Sequence, residues 1–225
     1  MANIDPNRSS PEHNGLKKQN PGSNAPGVSL AQIRPSLESA ALTAMATALR
    51  SYETELVKFA SQVNLVSHAD LPRLFNRHIL PAVAMGAEIR LHPRARILDV
   101  GSGAGLPGIP LAITHPASHF GLVEARRRRA IFLRHCVRQL RLPNVTVVHG
   151  RAEDLHSDLF DIALSRAVGG LQQLQVAVRH VVQPHGLFLT TQQSQGSSEP
   201  LDHVSKLHPS VLSTTIASRH RASCG

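Results

Sequence analysis

Residues 96–111, Arg-Ile-Leu-Asp-Val-Gly-Ser-Gly-Ala-Gly-Leu-Pro-Gly-Ile-Pro-Leu, constrain the fold more than any other stretch of the chain. Residues 97–100 are an apolar run interrupted by one acid, Asp99, the pattern of a short buried strand. Gly101, Gly103 and Gly105 follow at alternate positions. Without a Cβ, these residues let the backbone turn sharply and come into contact with a ligand. The text from Pro107 to Thr114 can begin a helix, whose first N–H groups would suit a polar or anionic ligand. Strand, glycine turn and helix in this order hold a nucleotide-type cofactor at the end of the first strand of a doubly wound sheet.

Downstream, strand and helix patterns alternate. Strand-like runs fall at 119–123, 145–148, 160–165 and 187–191, with helical patterns at 127–141 and 171–182 between them and a Pro184-His185-Gly186 turn before the last. Units of this length imply parallel strands with helices on both faces, a doubly wound α/β fold. Residues 211–217 read as one more strand. Upstream, residues 1–35 are rich in Asn, Pro, Ser and Gly and are expected to be a disordered tail. Residues 36–92 are expected to form a helical segment that caps one edge of the sheet, and 93–225 the cofactor-binding domain. Leu42, Met45, Leu49, Tyr52, Leu56, Phe59 and Val63 recur at three- and four-residue steps and predict one apolar stripe on a helix over 36–63, capped by Ser36. A second helix is expected over 71–85, with Pro81 kinking or interrupting it.

Two cofactor classes compete for the glycine loop. Gly103, Gly105 and Gly108 fit the dinucleotide pattern G-x-G-x-x-G, but that register leaves Gly101, the residue directly after the strand, unexplained. Asp99, Gly101, Gly103 and Gly105 fit instead the Asp-x-Gly-x-Gly-x-Gly loop of S-adenosylmethionine (SAM)-dependent methyltransferases. Glu124, at the end of the second strand, can accept hydrogen bonds from both ribose hydroxyls in either class. Ala152 and Glu153 follow the third strand, where a small side chain and backbone can flank an adenine ring.

The formal net charge of +9 points to a polyanionic partner, with nucleic acid ahead of a membrane surface. Arg127, Arg134, Arg138 and Arg141 are spaced seven, four and three apart, so on one helix they would share a face and contact RNA phosphates. Aromatic residues make up only 3% of the chain, which argues against base stacking on a platform and for recognition of RNA shape and phosphates. The two cysteines, Cys136 and Cys224, lie far apart and belong to no C-x-x-C pair, so neither a disulfide scaffold nor a zinc site is expected, and a reducing cytoplasm fits. The histidines are scattered; only His115 and His119 have H-x-x-x-H spacing, and Pro116 between them argues against a shared helix face, while no apolar run approaches the ~18 residues of a membrane span. The chain is therefore expected to need neither metal nor membrane.

The run Asp99-Val100-Gly101-Ser102-Gly103-Ala104-Gly105-Leu106-Pro107-Gly108-Ile109-Pro110-Leu111 resembles the RsmG (GidB) family of bacterial methyltransferases acting on guanine N7 of 16S ribosomal RNA. Asn64-Leu65-Val66-Ser67 with Arg77-His78-Ile79-Leu80, then Arg151-Ala152-Glu153-Asp154, then Ser165-Arg166-Ala167 agree with that family in order and spacing. Two features depart from it: residues 190–196 lack the lysine of a usual Lys-Gly pair, and Pro81 stands where an aspartate is common. The resemblance implies a Rossmann-like SAM-dependent methyltransferase fold, with SAM contacts at Gly101, Leu106, Ala152, Glu153 and Arg166, and Arg166 nearest the chemistry. Its implied partner is small-subunit rRNA or the 30S subunit, met by a monomer. Two alternatives stay open: a SAM-dependent methyltransferase of a small molecule or protein, and a non-catalytic RNA-binding relative.

Overall fold

The structure, a computed structural model, describes residues 30–89, 91–156, 159–166, 171–192, 203–208 and 211–217. The expected tail at residues 1–29 lies outside them. Helix α1 (Leu30–Val63) precedes a 3₁₀ turn (His68–Arg73), a π-turn (Phe75–Ile79) and α2 (Leu80–Glu88). The alternating part follows as β1 (Arg96–Val100), α3 (Gly108–Thr114), β2 (His119–Glu124), α4 (Arg127–Gln139), β3 (Val145–His149), β4 (Phe160–Ser165), α5 (Leu171–Val178) and β5 (Val182–Gln192). Strands β6 (His203–His208) and β7 (Val211–Ala217) close it.

The seven strands form one sheet in the order β3-β2-β1-β4-β5-β6-β7. The first five run parallel, and β6 and β7 continue as an antiparallel meander. α3, α4 and α5 make the crossovers from β1 to β2, β2 to β3 and β4 to β5, while β3 connects to β4 through a segment whose only helical piece among the described residues is a 3₁₀ turn at Ala152–Asp154. β1 sits in the middle and is buried on both faces. Ile97 packs with Leu56, Ile109, Phe120 and Phe132 in one core, while Leu98 and Val100 pack with Phe160, Leu174 and Val178 in the other. The period-two alternation of a single strand thus divides the molecule into its two helical layers.

Four expectations are corrected. α1 begins at Leu30, so Ser36 lies inside the helix and does not cap it. Leu42, read as part of the buried stripe, is 67% exposed, and the stripe becomes buried only from Leu49 onward. The single helix expected over 71–85 is three pieces, and it is interrupted ahead of Pro81, which stands in the first turn of α2. A proline has no N–H to give to the carbonyl four residues back; here the turn widens before it, and the Leu80 N–H reaches Phe75 O in a π-type bond. The Pro184-His185-Gly186 turn lies within β5. Phe160 pairs with Val182 and Ile162 with Leu187, so residues 183–186 bulge out of the ladder.

α1 braces the centre of the sheet. Tyr52, fully buried, donates its hydroxyl to Ala104 O at 2.7 Å, in the glycine loop after β1. Arg50 stacks over the Phe75 ring at 3.5 Å and fixes the π-turn to the same helix. Tyr52→Phe keeps the packing but leaves a buried carbonyl without its donor, which costs about 1–3 kcal/mol. Urea unfolding is expected to show a lower midpoint with an unchanged slope; a midpoint equal to that of the unsubstituted protein would contradict the brace.

Candidate active site

The loop between β1 and α3 is built from three left-handed glycines, with φ of +68° at Gly101, +58° at Gly103 and +89° at Gly105. Four of its amides bond within the protein. Gly101 and Ser102 N–H donate to Val123 O at 2.9 and 3.0 Å, and Gly105 N–H to Ser102 O at 2.7 Å. Two carboxyl groups finish the loop. Glu124 accepts the Gly103 N–H at 2.8 Å through Oε2 and the Arg126 N–H at 2.7 Å through Oε1. Asp99 accepts the Gly108 N–H at 3.1 Å through Oδ2. Asp99 Oδ1 is buried and has no hydrogen-bond partner among the described residues. Burial pushes the Asp99 carboxyl up to about 7, opposed by the Gly108 N–H and by Arg166.

This geometry corrects the reading of the helix start as an open anion cradle. The Gly108 N–H is taken by Asp99 and the Ile109 N–H by Gly105 O at 2.7 Å, and residues 108–113 are buried. An acid stands where a phosphate would need donors.

The other expected contacts gather at the carboxyl ends of the neighbouring strands. Leu106 is buried in the loop. Ala152, buried, and Glu153, exposed, form a 3₁₀ turn after β3, joined to β2 through the Gly150 N–H on Glu124 O at 3.2 Å. Arg166 leaves the end of β4, mostly buried. Its Nη2 donates to His78 Nδ1 at 3.2 Å, and burial holds its pKa below the usual arginine value. Across the imidazole, His78 Nε2 lies 3.5 Å from Asp70 Oδ2, and Asp70 Oδ1 accepts from Arg77 Nη1 at 2.9 Å. Sequence reasoning gave Arg77 and His78 no site role. Their place in the Asn64–Ser67 and Arg77–Leu80 signature was the available signal; the contact itself spans 88 residues and leaves no local pattern.

The basic face is only partly as expected. Arg127, Arg134 and Arg138 are exposed on α4, with Phe132, Leu133 and Cys136 buried beneath. Arg141 is off the face, because α4 ends at Gln139 and Arg141 turns left-handed with φ of +51°. Arg129 donates to Asn64 O at 2.9 Å and ties α4 to the end of α1. Between α1 and α4 runs a groove of ≈ 640 Å³ lined by Phe59, Val63, Arg128, Ile131, Arg134 and Arg138, among others. Among the described residues no cluster of His, Cys, Asp and Glu could hold a metal, and no helix is long and apolar enough to cross a membrane.

A doubly wound sheet with a glycine loop at its central strand, closed by acids from β1 and β2, defines a Rossmann-like cofactor-binding protein. The model of the rRNA small subunit methyltransferase G family (GidB) matches residues 45–220, and the chain belongs to that family. It is 41% identical over 127 residues to the ribosomal RNA small subunit methyltransferase G of Pectobacterium atrosepticum, covering 56% of this chain and 60% of that protein. It is 45% identical over 114 residues to the protein of the same name from Mycolicibacterium smegmatis, covering 49% and 47%. The matched part thus spans about half the length of these relatives. Among solved structures, it is similar to a SAM-dependent methyltransferase from Geobacter sulfurreducens in complex with S-adenosyl-L-homocysteine, at 22% identity over 55% of this chain and 51% of that one, with a TM-score of 0.46.

The Asp99 environment sets a pH dependence. A carboxyl raised from 3.8 to about 7 binds its proton more tightly in the folded state, so this group's contribution to stability is full below pH 4 and is lost as pH rises from about 4 to 7. Asp99→Asn keeps an acceptor for Gly108 and cannot ionise. Its melting temperature relative to the unsubstituted protein is expected to rise between pH 5 and pH 8; an offset that does not change with pH would contradict the buried acid.

Proposed function

We propose that this chain transfers a methyl group from SAM to guanine N7 in small-subunit ribosomal RNA. The observation that carries the reading is the closed glycine loop, in a chain that belongs to the methyltransferase G family. The Gly103 N–H is spent on Glu124 and the Gly108 N–H on Asp99, which disfavours a pyrophosphate and suits a ligand that brings cationic centres near those acids. SAM fits that description: it carries a sulfonium and an ammonium group beside a single carboxylate, and no phosphate. The cradle also has room, since a Cβ at Gly103 would meet nothing closer than 3.7 Å.

Gly101, Gly103, Gly105 and Leu106 would hold the methionine part against the loop, with Asp99 shaping it. Glu124 would take the ribose hydroxyls with its remaining lone pairs, and Ala152 and Glu153 would flank the adenine. Arg166 would contact the SAM carboxylate, guanine O6 or a nearby phosphate. SAM supplies an electrophilic methyl group on sulfur. Guanine N7 carries an in-plane lone pair and no proton, so the chain needs no general base. Its catalytic contribution is alignment, which can supply on the order of 7–11 kcal/mol. Arg166 cannot grip O6 and N7 together, because that would occupy the nucleophile. A single copy carries the loop, Glu124 and Arg166, which supports action as a monomer, in the cytoplasm where the ribosomal substrate is found.

Arg127, Arg134 and Arg138 supply the RNA face, and Arg128 extends it along the groove. Labelled SAM with 30S subunits or their RNA is expected to give methyl transfer, and mass spectrometry to place the label on guanine N7. No transfer where a family member works would overturn the reading. RNA affinity is expected to fall with salt, and Arg134→Glu with Arg138→Glu to flatten the log–log slope by about one unit per lost phosphate contact, with SAM affinity unchanged. An unchanged slope would remove α4 from the RNA interface.

A further inference from the structure

We propose that His78 is the positioning residue for Arg166: its imidazole accepts the guanidinium's hydrogen bond at Nδ1 while Asp70 faces the opposite edge of the ring. This deepens the function proposed above and rests on Arg166 working at the methyl-transfer site.

The direction of the bond is fixed by chemistry. A guanidinium has donors only, so the 3.2 Å contact from Arg166 Nη2 requires the lone pair at Nδ1. A neutral His78 then carries its proton on Nε2, the nitrogen that faces Asp70 Oδ2 at 3.5 Å. Asp70 is itself immobilised. Arg77 Nη1 donates to Oδ1 at 2.9 Å, Ser67 Oγ donates to Oδ2 at 3.1 Å, and the Asp70 N–H donates to Ser67 Oγ at 3.2 Å. From the turn after α1 to the end of β4, Ser67 is thus bonded to Asp70 and His78 to Arg166, while His78 Nε2 and Asp70 Oδ2 face each other across 3.5 Å without a hydrogen bond. Among the described residues, His78 is the one side chain within hydrogen-bond distance of Arg166. A mostly buried guanidinium with one side-chain acceptor takes its direction from that acceptor.

The arrangement works only while His78 is neutral. Its protonation would put a proton on Nδ1 and set two cations face to face. The groups facing the ring are Arg166 from the end of β4, Asp70 from the 3₁₀ turn and Arg77 beside it. Burial and Arg166 lower the His78 pKa from its ordinary value, and Asp70 only partly offsets them. The link is therefore intact at pH 7 and breaks in acid.

The test compares His78→Asn, whose Oδ1 can accept in place of Nδ1 and does not titrate, with His78→Leu, which is apolar, and uses Arg166→Ala as reference. SAM affinity by calorimetry and methyl transfer to RNA are followed from pH 5.5 to 8. Whichever quantity Arg166→Ala lowers at least tenfold, His78→Leu is expected to lower as much. His78→Asn is expected to stay within threefold of the unsubstituted protein and to lose its acid limb. Equal losses in the Asn and Leu variants, no loss in the Leu variant, or no effect of Arg166→Ala would overturn the proposal. Nitrogen-detected imidazole spectra of the unsubstituted chain and of Arg166→Ala give a readout independent of activity, and the tautomer of the unsubstituted chain is independent of variant folding as well. They are expected to show His78 protonated on Nε2 alone, with a pKa that rises in Arg166→Ala; a mixed tautomer or an unmoved pKa would overturn it. Absence of transfer to RNA with these spectra as expected would sink the substrate assignment and leave His78's role standing.

Discussion

Buried carboxyl groups accepting backbone amides hold the site together. A glycine loop with three left-handed residues has few side chains of its own to fix it, chiefly Ser102 and Leu106, and much of its conformational entropy must be offset by bonds from outside. Asp99 and Glu124 provide them from β1 and β2, and Tyr52 secures the carbonyl side from α1. The two acids come from adjacent strands in parallel register, Asp99 opposite Leu122 and Val100 opposite Val123, so the sheet itself sets where the loop can lie. Using acids for this task also selects the ligand, since a group that caps amides with negative charge leaves little for a phosphate.

Much of the sheet was legible because its signals are local. Short apolar runs gave β4 at its observed bounds, and with glycine or proline nearby gave β1, β2 and β3 to within a residue. The loop register was equally local, Asp99 before Gly101. Periodicity alone could not show where burial stops, so Leu42 was assigned to a core that begins at Leu49. Nor could it show that Arg141 leaves the helix, because the departure is one left-handed residue in an otherwise basic helical text.

The site divides along the same line. Glycines, Glu124 and Arg166 stand at strand ends, and strand ends can be read from a sequence. His78 and Asp70 lie in a segment with no regular period, and their meaning is in partners dozens of residues away. The structure explains why Asn64–Ser67 and Arg77–Leu80 form a signature at all. Asn64 O receives Arg129 from α4, while Ser67 and Arg77 grip opposite oxygens of Asp70. A short motif with a spacer of nine residues is thus one hydrogen-bonded turn, with its own residues binding to each other before any ligand is considered.

The Tyr52 hydroxyl on Ala104 carries a consequence for anyone cutting this chain. A fragment beginning at β1 would hold every glycine and both acids of the loop, and would look complete by motif. It would lack the phenol that secures Ala104 O and the Asn64 carbonyl that holds Arg129, and it would expose Ile97, Ile109 and Phe132, which share their core with Leu56. The smallest autonomous piece is therefore larger than the cofactor motif, and α1 from Leu49 onward belongs inside any truncation.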